Sequence, residues 1–584
     1  MTKSDNLSSQ HLRFMHWLYA RALGFSKPAT GFVKQPEPRS IGSYVRGMQL
    51  KAGNIMFAGH LVEAPGAVLW DIDSPADGFR QEAHGFRWLD DLASVGDKHS
   101  RKIAQAWVQK WIDLYGHGSG PGWIPDLTGR RLIRWIHHGF MLLQGIEPKR
   151  SEIFFQSLGR QTLFLSKRWS KTMPGLPRFE ALTGLIYAGL TLEGMEEHVR
   201  PATSALAREC RTQVDAAGGL HTRNPEELLE VFTLLTWVAS ALTEAGWIPS
   251  SAHLEALNRI APTLRTLRHA DGSLARFHGG GKGLEGRLDM ALAQSGNKIL
   301  TSGSLVMGYA RLSAGRTSII VDAAPPPTGR ASINGHASTL AFELSSGRSS
   351  LIVNCGSGES FGADWRRAGR ATPSHSTLCV NGISSASLGR PLSHTNTENE
   401  SLIDGPSKVP HEFPETSQGL KFKAGHNGYL KHNGLTHVRS LDLSSDGSTL
   451  SGEDMLLTLD TKDQKPFQKA FDASGLQGIP FQLRFHLHPD VAAQVDLGGM
   501  AVSFVLKTGE IWMFRHDADV EITLEPSVYF EKNRLKPRST RQVVLSLRAM
   551  EYATRVRWSL SKIQKTNFSS KEGIEDIEDI SYTK

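Results

Sequence analysis

The sequence predicts a multidomain α+β protein, an N-terminal array of helices followed by a C-terminal antiparallel β-sandwich. Three observations predict it. The chain has 584 residues, well beyond the roughly 250–300 at which a single hydrophobic core stops growing. Apolar residues recur with a helical period through residues 1–284 and with a strand period through 285–562. The helical segments are separated by short breaks, several containing Gly or Pro, which implies antiparallel hairpins stacked side by side.

The elements follow in chain order. MTKSDNLSSQHLRFMHWLYARALGF (1–25) reads as an amphipathic helix. It lacks the continuous apolar run and small-residue cleavage site of a signal peptide, and no 18-residue apolar run occurs anywhere. Taken alone, this points to the cytoplasm and to no membrane span. IAQAWVQKWIDLY (103–115) places Ile103, Trp107, Trp111 and Leu114 on one stripe. RRLIRWIHHGFMLL (130–143) and EELLEVFTLLTWVASAL (226–242) behave alike. ALTGLIYAGLTLEGM, SALARECRTQVDAA and SAHLEALNRIAPTLRTL add further helices. The period fits an α/α toroid or an α-solenoid equally well. From SLVMGYARL (304–312) to RQVVLSLRA (541–549) the chain reads as short alternating strands with turn signals and no helices between them, an antiparallel sandwich. The polar tail, 563–584, is predicted to be disordered. A helical array meeting a sandwich leaves a cleft, and clefts between domains are preferred ligand sites.

Composition narrows the function. Hydrophobic residues at 39% and charged residues at 21% describe an ordered globular protein. The three cysteines, Cys210, Cys355 and Cys379, are too few and too scattered for a disulfide framework, and without a C-x₂-C pair they form no zinc-cysteine site. A net charge of +8 suits an acidic partner or a mildly basic surface. No Lys/Arg tract accompanies it, so nucleic acid is not the expected partner. Nothing in the sequence settles the oligomeric state.

Four stretches carry candidate chemistry. In WIPDLTGRRLIRWIHH (123–138), Trp123, Arg130, Arg131, Arg134 and Trp135 stand at a helix start. Aromatic faces stack on sugars and Arg forks bind carboxylate or sulfate, although a solvated helix face over a buried Trp has the same pattern. In GGLHTRNPEELLE (218–230), Asn224 and Pro225 start a helix as N-cap and first residue, and His221 and Arg223 lie just before it. DGSLARFHGGGKGLEGRLD (271–289) is a glycine-rich junction carrying Arg276 and His278; its spacing fits no phosphate loop, so no organic cofactor is expected. Finally, three successive strands could bring His336, Asn354 and His375 together. Two imidazoles and an amide oxygen make a weak zinc site, since an amide is a poorer ligand than a carboxylate.

NGHASTLAFE, LIVNCG and WRRAGRATPSHST, in that order, resemble the heparinase II/III family of polysaccharide lyases, with HNGYLKHNGLTHVR (426–439) similar to a further strand pair of that bacterial family. The resemblance runs over roughly 85–550. It implies an α/α toroid, an incomplete helical barrel, joined to the sandwich, and an acidic polysaccharide or oligosaccharide cleaved by β-elimination. It implies a structural zinc at His336, Asn354 and His375, with Asn354 where the family has Asp. The family's catalytic Asn, Tyr and His fall on Leu176, Glu227 and Asn334. The expected acids and bases are therefore His221, Glu227, His278 or Tyr429, with Arg223, Arg134 or Asn334 holding the carboxylate. A relative that binds acidic glycan without cleaving it, or serves a structural role in envelope glycan metabolism, is the alternative. Members of the family that act on external polymers are periplasmic or secreted, against the cytoplasmic reading of this start.

Overall fold

The structure, a computed structural model, describes residues 3–22, 29–34, 37–295, 304–393, 396–416, 419–532 and 534–563. All but Ile563 of the predicted tail lies outside the described residues.

The helical half is an α/α toroid. Its apolar stripes pack inward, as in Lys98–Tyr115, where Trp107 and Trp111 are buried and Leu114 stays exposed. At the centre runs Leu176–Thr191, apolar almost all round and buried along most of its length. It packs against Pro125–His137, Pro148–Arg168, Val199–Gln213 and Pro225–Glu244. Its closest neighbour is Pro125–His137, because glycines meet at the crossing. A methyl on Gly184 would stand 2.6 Å from the Gly129 Cα, so larger residues would force the two helices apart. Arg287–Ser295 continues the helical layer by packing on Pro225–Glu244 and Ser251–Thr266. No helix among the described residues is long and apolar enough to cross a membrane.

The sandwich has two antiparallel eight-stranded sheets. One contains Tyr309–Ala314, Thr317–Asp322, Phe342–Ser346 and Ser349–Val353, then Ile479–Leu487, Arg538–Ala549 and Thr523–Tyr529, with Leu378–Val380 paired beside Ile479–Leu487. Thr317–Asp322 and Phe342–Ser346 are buried at every position, because this sheet is covered on one face by the toroid and on the other by its partner sheet. In that partner sheet, Leu435–Ser444 alternates strictly between buried and half-buried residues, the pattern of a strand with one wet face. Helices interrupt the predicted run of strands, among them Ala363–Arg370 and Gln464–Ala473. The first carries the WRRAGR motif; strand alternation could not reveal either.

Candidate active site

The toroid meets the sandwich at the N-terminus of Pro225–Glu244. Asn224 caps it, its Oδ1 accepting from the backbone N–H of Glu226 at 3.0 Å and of Glu227 at 3.2 Å. Asn224 is therefore committed to the cap. The next two glutamates diverge. Glu226 Oε2 accepts from Lys532 Nζ at 2.5 Å and from Gly281 N at 2.7 Å. Burial alone would raise its pKa, but Lys532 and these hydrogen bonds lower it. Glu227 is half-buried and faces the Gly175–Leu176 turn, its Oε1 3.8 Å from where a Gly175 Cβ would stand. Burial raises its pKa, against the pull of the Leu176 backbone N–H. Leu176 and Glu227, aligned above by motif spacing alone, are thus spatial neighbours.

Asn334 stands exposed across the Gly279 turn from Asn224: a Cβ on Gly279 would be 2.8 Å from the Asn334 Cβ and 3.6 Å from Asn224 Nδ2. Arg366 Nη2 donates to Asn334 Oδ1 at 3.0 Å and to the Ile333 carbonyl at 3.0 Å. Arg366 thus holds the Asn334 amide by its oxygen.

Beside this group lies a cavity of about 680 Å³ between the two halves. Arg130 and Arg276 line it, with Arg46, Arg87, Arg287 and Lys532. Most of this positive charge is spent locally. Arg87 and Arg287 share Glu230 at 2.8 and 2.7 Å. Arg46 meets Glu82 at 3.1 Å, and Arg130 meets Glu180 at 2.7 Å. Arg276 stacks over Tyr529 at 3.9 Å and donates to the Cys355 and Phe530 carbonyls.

Several expected site residues are corrected. Arg223 is not a ligand-binding group: all five of its N–H donors are used on Met307, Gly308, Ala324 and Pro325 carbonyls and on Asp322. It clamps the toroid to the sandwich. Arg131 is fully buried, stacked on Trp111 at 4.1 Å, with hydrogen bonds to Gln161, Thr128 and the His84 and Gly122 carbonyls. Trp123 and Trp135 are toroid core. Arg134 is buried against Asp90 at 3.3 Å. Tyr429 is sandwich core, its hydroxyl donating to the Leu378 carbonyl at 2.8 Å. His278 is buried, with Nδ1 accepting from His336 N at 3.0 Å and Nε2 3.4 Å from Asp322. Burial lowers its pKa, and it has no open face for a substrate. His221 is exposed, its ring Nε2 3.4 Å from the Thr212 carbonyl, and it does not line the cavity.

The implied zinc site does not fit. His336 and His375 do converge, ring centroids 5.1 Å apart, with Nδ1 of His336 buried without a partner and His375 held by the Gly369 backbone. The third member is missing. Asn354 Oδ1 accepts from Ser376 N at 3.0 Å, and its Nδ2 turns toward Glu343 at 3.5 Å. No group of three His, Cys, Asp or Glu that could hold a metal occurs among the described residues.

Sequence reasoning missed Glu226, Lys532 and Arg366 as site residues. Arg366 was visible in the W-R-R block as a motif, without its partner. Lys532 lies 306 residues from Glu226 and has no local signal.

A toroid and a sandwich enclosing a polar cleft define the class: a two-domain protein built like the polysaccharide lyases. The chain belongs to the heparinase II/III-like family. The profile of the heparinase II/III-like C-terminal domain matches residues 303–559. The FtsZ-localized protein C of Caulobacter vibrioides is 30% identical over 512 residues, covering 85% of this chain and 84% of that one. Among solved structures, a heparinase III superposes with a TM-score of 0.65 at 12% identity, over 96% of this chain and 91% of that one. The heparan sulfate lyase HepC of Pedobacter heparinus gives 0.55 at 13% identity, over 94% and 87%. At such identities the structural likeness speaks for the fold.

Proposed function

We propose that this protein is a polysaccharide lyase acting on an acidic, uronate-containing glycan by β-elimination where the two halves meet. The observation that carries the reading is Glu227, a half-buried carboxyl with a raised pKa beside Leu176, three residues after the Asn224 cap that lies across Gly279 from Asn334. β-Elimination needs a base for the C5 proton, a donor for the uronate carboxylate and an acid for the leaving oxygen. A raised pKa makes the Glu227 carboxylate a stronger base than an ordinary glutamate. It takes the proton from C5; the C4–C5 double bond forms as the C4–O4 bond breaks with its electron pair on O4. The Glu227 carboxyl then returns the proton to O4. Asn334, its oxygen held by Arg366, donates its amide N–H to the carboxylate.

A second reading, binding without cleavage or a structural role in envelope glycan metabolism, has its own support. Leu176 offers only backbone where the family has an amide side chain, the cavity's arginines are largely paired, and a relative is named for its localization with FtsZ. Incubation with a panel of uronate polymers separates the two. A lyase generates an unsaturated uronate and ultraviolet absorbance. No absorbance on any polymer, with retardation on an acidic-glycan column, selects the binding reading.

A further inference from the structure

Two contacts join the halves at the cavity beside Glu226. The first is made by a β-hairpin of the helical half, Asn54–Phe57 paired with His60–Glu63. Its two turn residues, Ala58 and Gly59, both have positive φ, 47° and 82°, as a tight two-residue hairpin turn demands. For Ala58 that conformation is unfavourable, so surrounding contacts must hold it. They do: Ala58 N donates to Glu82 Oε2 at 2.7 Å, tying the tip to the toroid. The tip then crosses to the sandwich. A methyl on Gly59 would lie 1.6 Å from the Ser360 carbonyl oxygen, so the two backbones touch, and only glycine fits between them. Ala58, Gly59 and Ser360 all line the cavity.

The second strap runs the other way, from sandwich to toroid. Lys532 Nζ reaches Glu226 Oε2, which the Gly281 N–H also holds. These three residues line the same cavity. Its volume, about 680 Å³, falls within the range of small-ligand sites. Its charges point the same way. Eight basic and seven acidic side chains line it, mostly paired with one another, so it offers little free positive charge to a run of successive uronates.

We propose that this cavity receives the end of a glycan chain or a short oligosaccharide, and excludes the middle of a polymer. The proposal rests on the acidic-glycan reading above and names which part of the glycan is bound. A polymer lying through the cleft must pass between the two halves, and the hairpin tip and the Lys532–Glu226 bridge both join the halves along the cavity wall.

The test is binding of the full chain to heparan sulfate and to polygalacturonate, each as intact polymer and as size-graded oligosaccharides, by calorimetry. The expected result is an affinity per mole of chain that stays level once the oligosaccharide fills the cavity. Lys532→Ala removes one strap without touching the hairpin, and is expected to raise polymer affinity relative to that of a tetrasaccharide. An affinity that climbs in proportion to chain length in the unmodified protein overturns end recognition and leaves the glycan reading standing. Binding to none of these probes overturns both for these glycans.

Discussion

Two buried histidine clusters sit in the sandwich half, and they are finished differently. Between the sheets, Arg439 forks onto Asp454 at 2.8 and 3.1 Å, His437 meets the same carboxylate at 2.7 Å, and Trp558 Nε1 donates to it at 2.8 Å. His426 closes the chain against His437 at 3.2 Å. At the toroid junction, where His336 meets Gly279 and His278, His336 and His375 face each other with no carboxylate between them. The difference is one carboxylate. Asp454 anchors the first cluster; Asn354 stands where a carboxylate would anchor the second. Buried polar groups need partners to avoid a desolvation cost, so the first cluster stabilises the fold while the second is spare capacity.

Removing the anchor's partner breaks the first cluster. Arg439→Met leaves Asp454 buried without its cation and is expected to cost about 3–5 kcal/mol, read as a drop in the urea midpoint. Acid does the same more gradually. Arg439 and His437 overcome the burial penalty and hold the Asp454 pKa below the ordinary carboxylate range. Its contribution is therefore complete above the unfolded carboxylate pKa of about 3.9 and is lost as pH falls below it. If Arg439→Met leaves the acid-unfolding profile unmoved, this account of the cluster is wrong.

Arg223 should behave as the interdomain counterpart of Arg439. Arg223→Met strands Asp322 with His278 at 3.4 Å and the Ser338 hydroxyl, which donates to it at 2.6 Å, and is expected to cost about 3 kcal/mol. Glycan affinity of the folded fraction should not change, because no Arg223 donor faces the cleft. An affinity loss without a stability loss would return Arg223 to the site.

The second cluster is sharpened by supplying what it lacks. Asn354→Asp places a carboxylate beside His336 and His375 and should create zinc-dependent stabilisation, about 2.7 kcal/mol at a hundredfold excess over the dissociation constant. The unmodified protein should show no zinc-dependent shift in Tm. Zinc stabilising both proteins equally would mean that Asn354 already serves as a ligand.

The two clusters also mark what could be read in advance. The fold was legible because helical and strand periods are local, and the change near residue 285 is abrupt. Closure into a toroid was not, since it depends on contacts such as Gly129 against Gly184, which periodicity does not encode. Trp123, Arg131 and Trp135 were misassigned because an i,i+4 stripe looks the same whether it faces a cleft or a core; burial alone decides. Glu227 and Asn334 are named by motif spacing, whereas Lys532 enters from a loop far along the chain.

The smallest expected stability effect is at Glu227, and there the contrast with its neighbour is sharpest. Glu226 and Glu227 share a helix N-terminus, which favours negative charge at both, yet their pKa values move in opposite directions. The deciding factor is the direct partner: Lys532 bonded to Glu226, and for Glu227 burial that outweighs its hydrogen bonds and the more distant Lys532. Glu227→Gln removes a carboxyl that is costly to ionise, so stability at neutral pH should stay within about 0.5 kcal/mol. Turnover should be lost, because an amide cannot accept the C5 proton. In the unmodified protein, kcat/KM should rise with pH through the raised Glu227 pKa, since only the ionised form is a base. Glu226→Gln should instead weaken the strap to Lys532 and leave that pH limb in place. A Glu227→Gln protein that retains full turnover, or a pH limb that disappears with Glu226 and not with Glu227, would move the base to another residue.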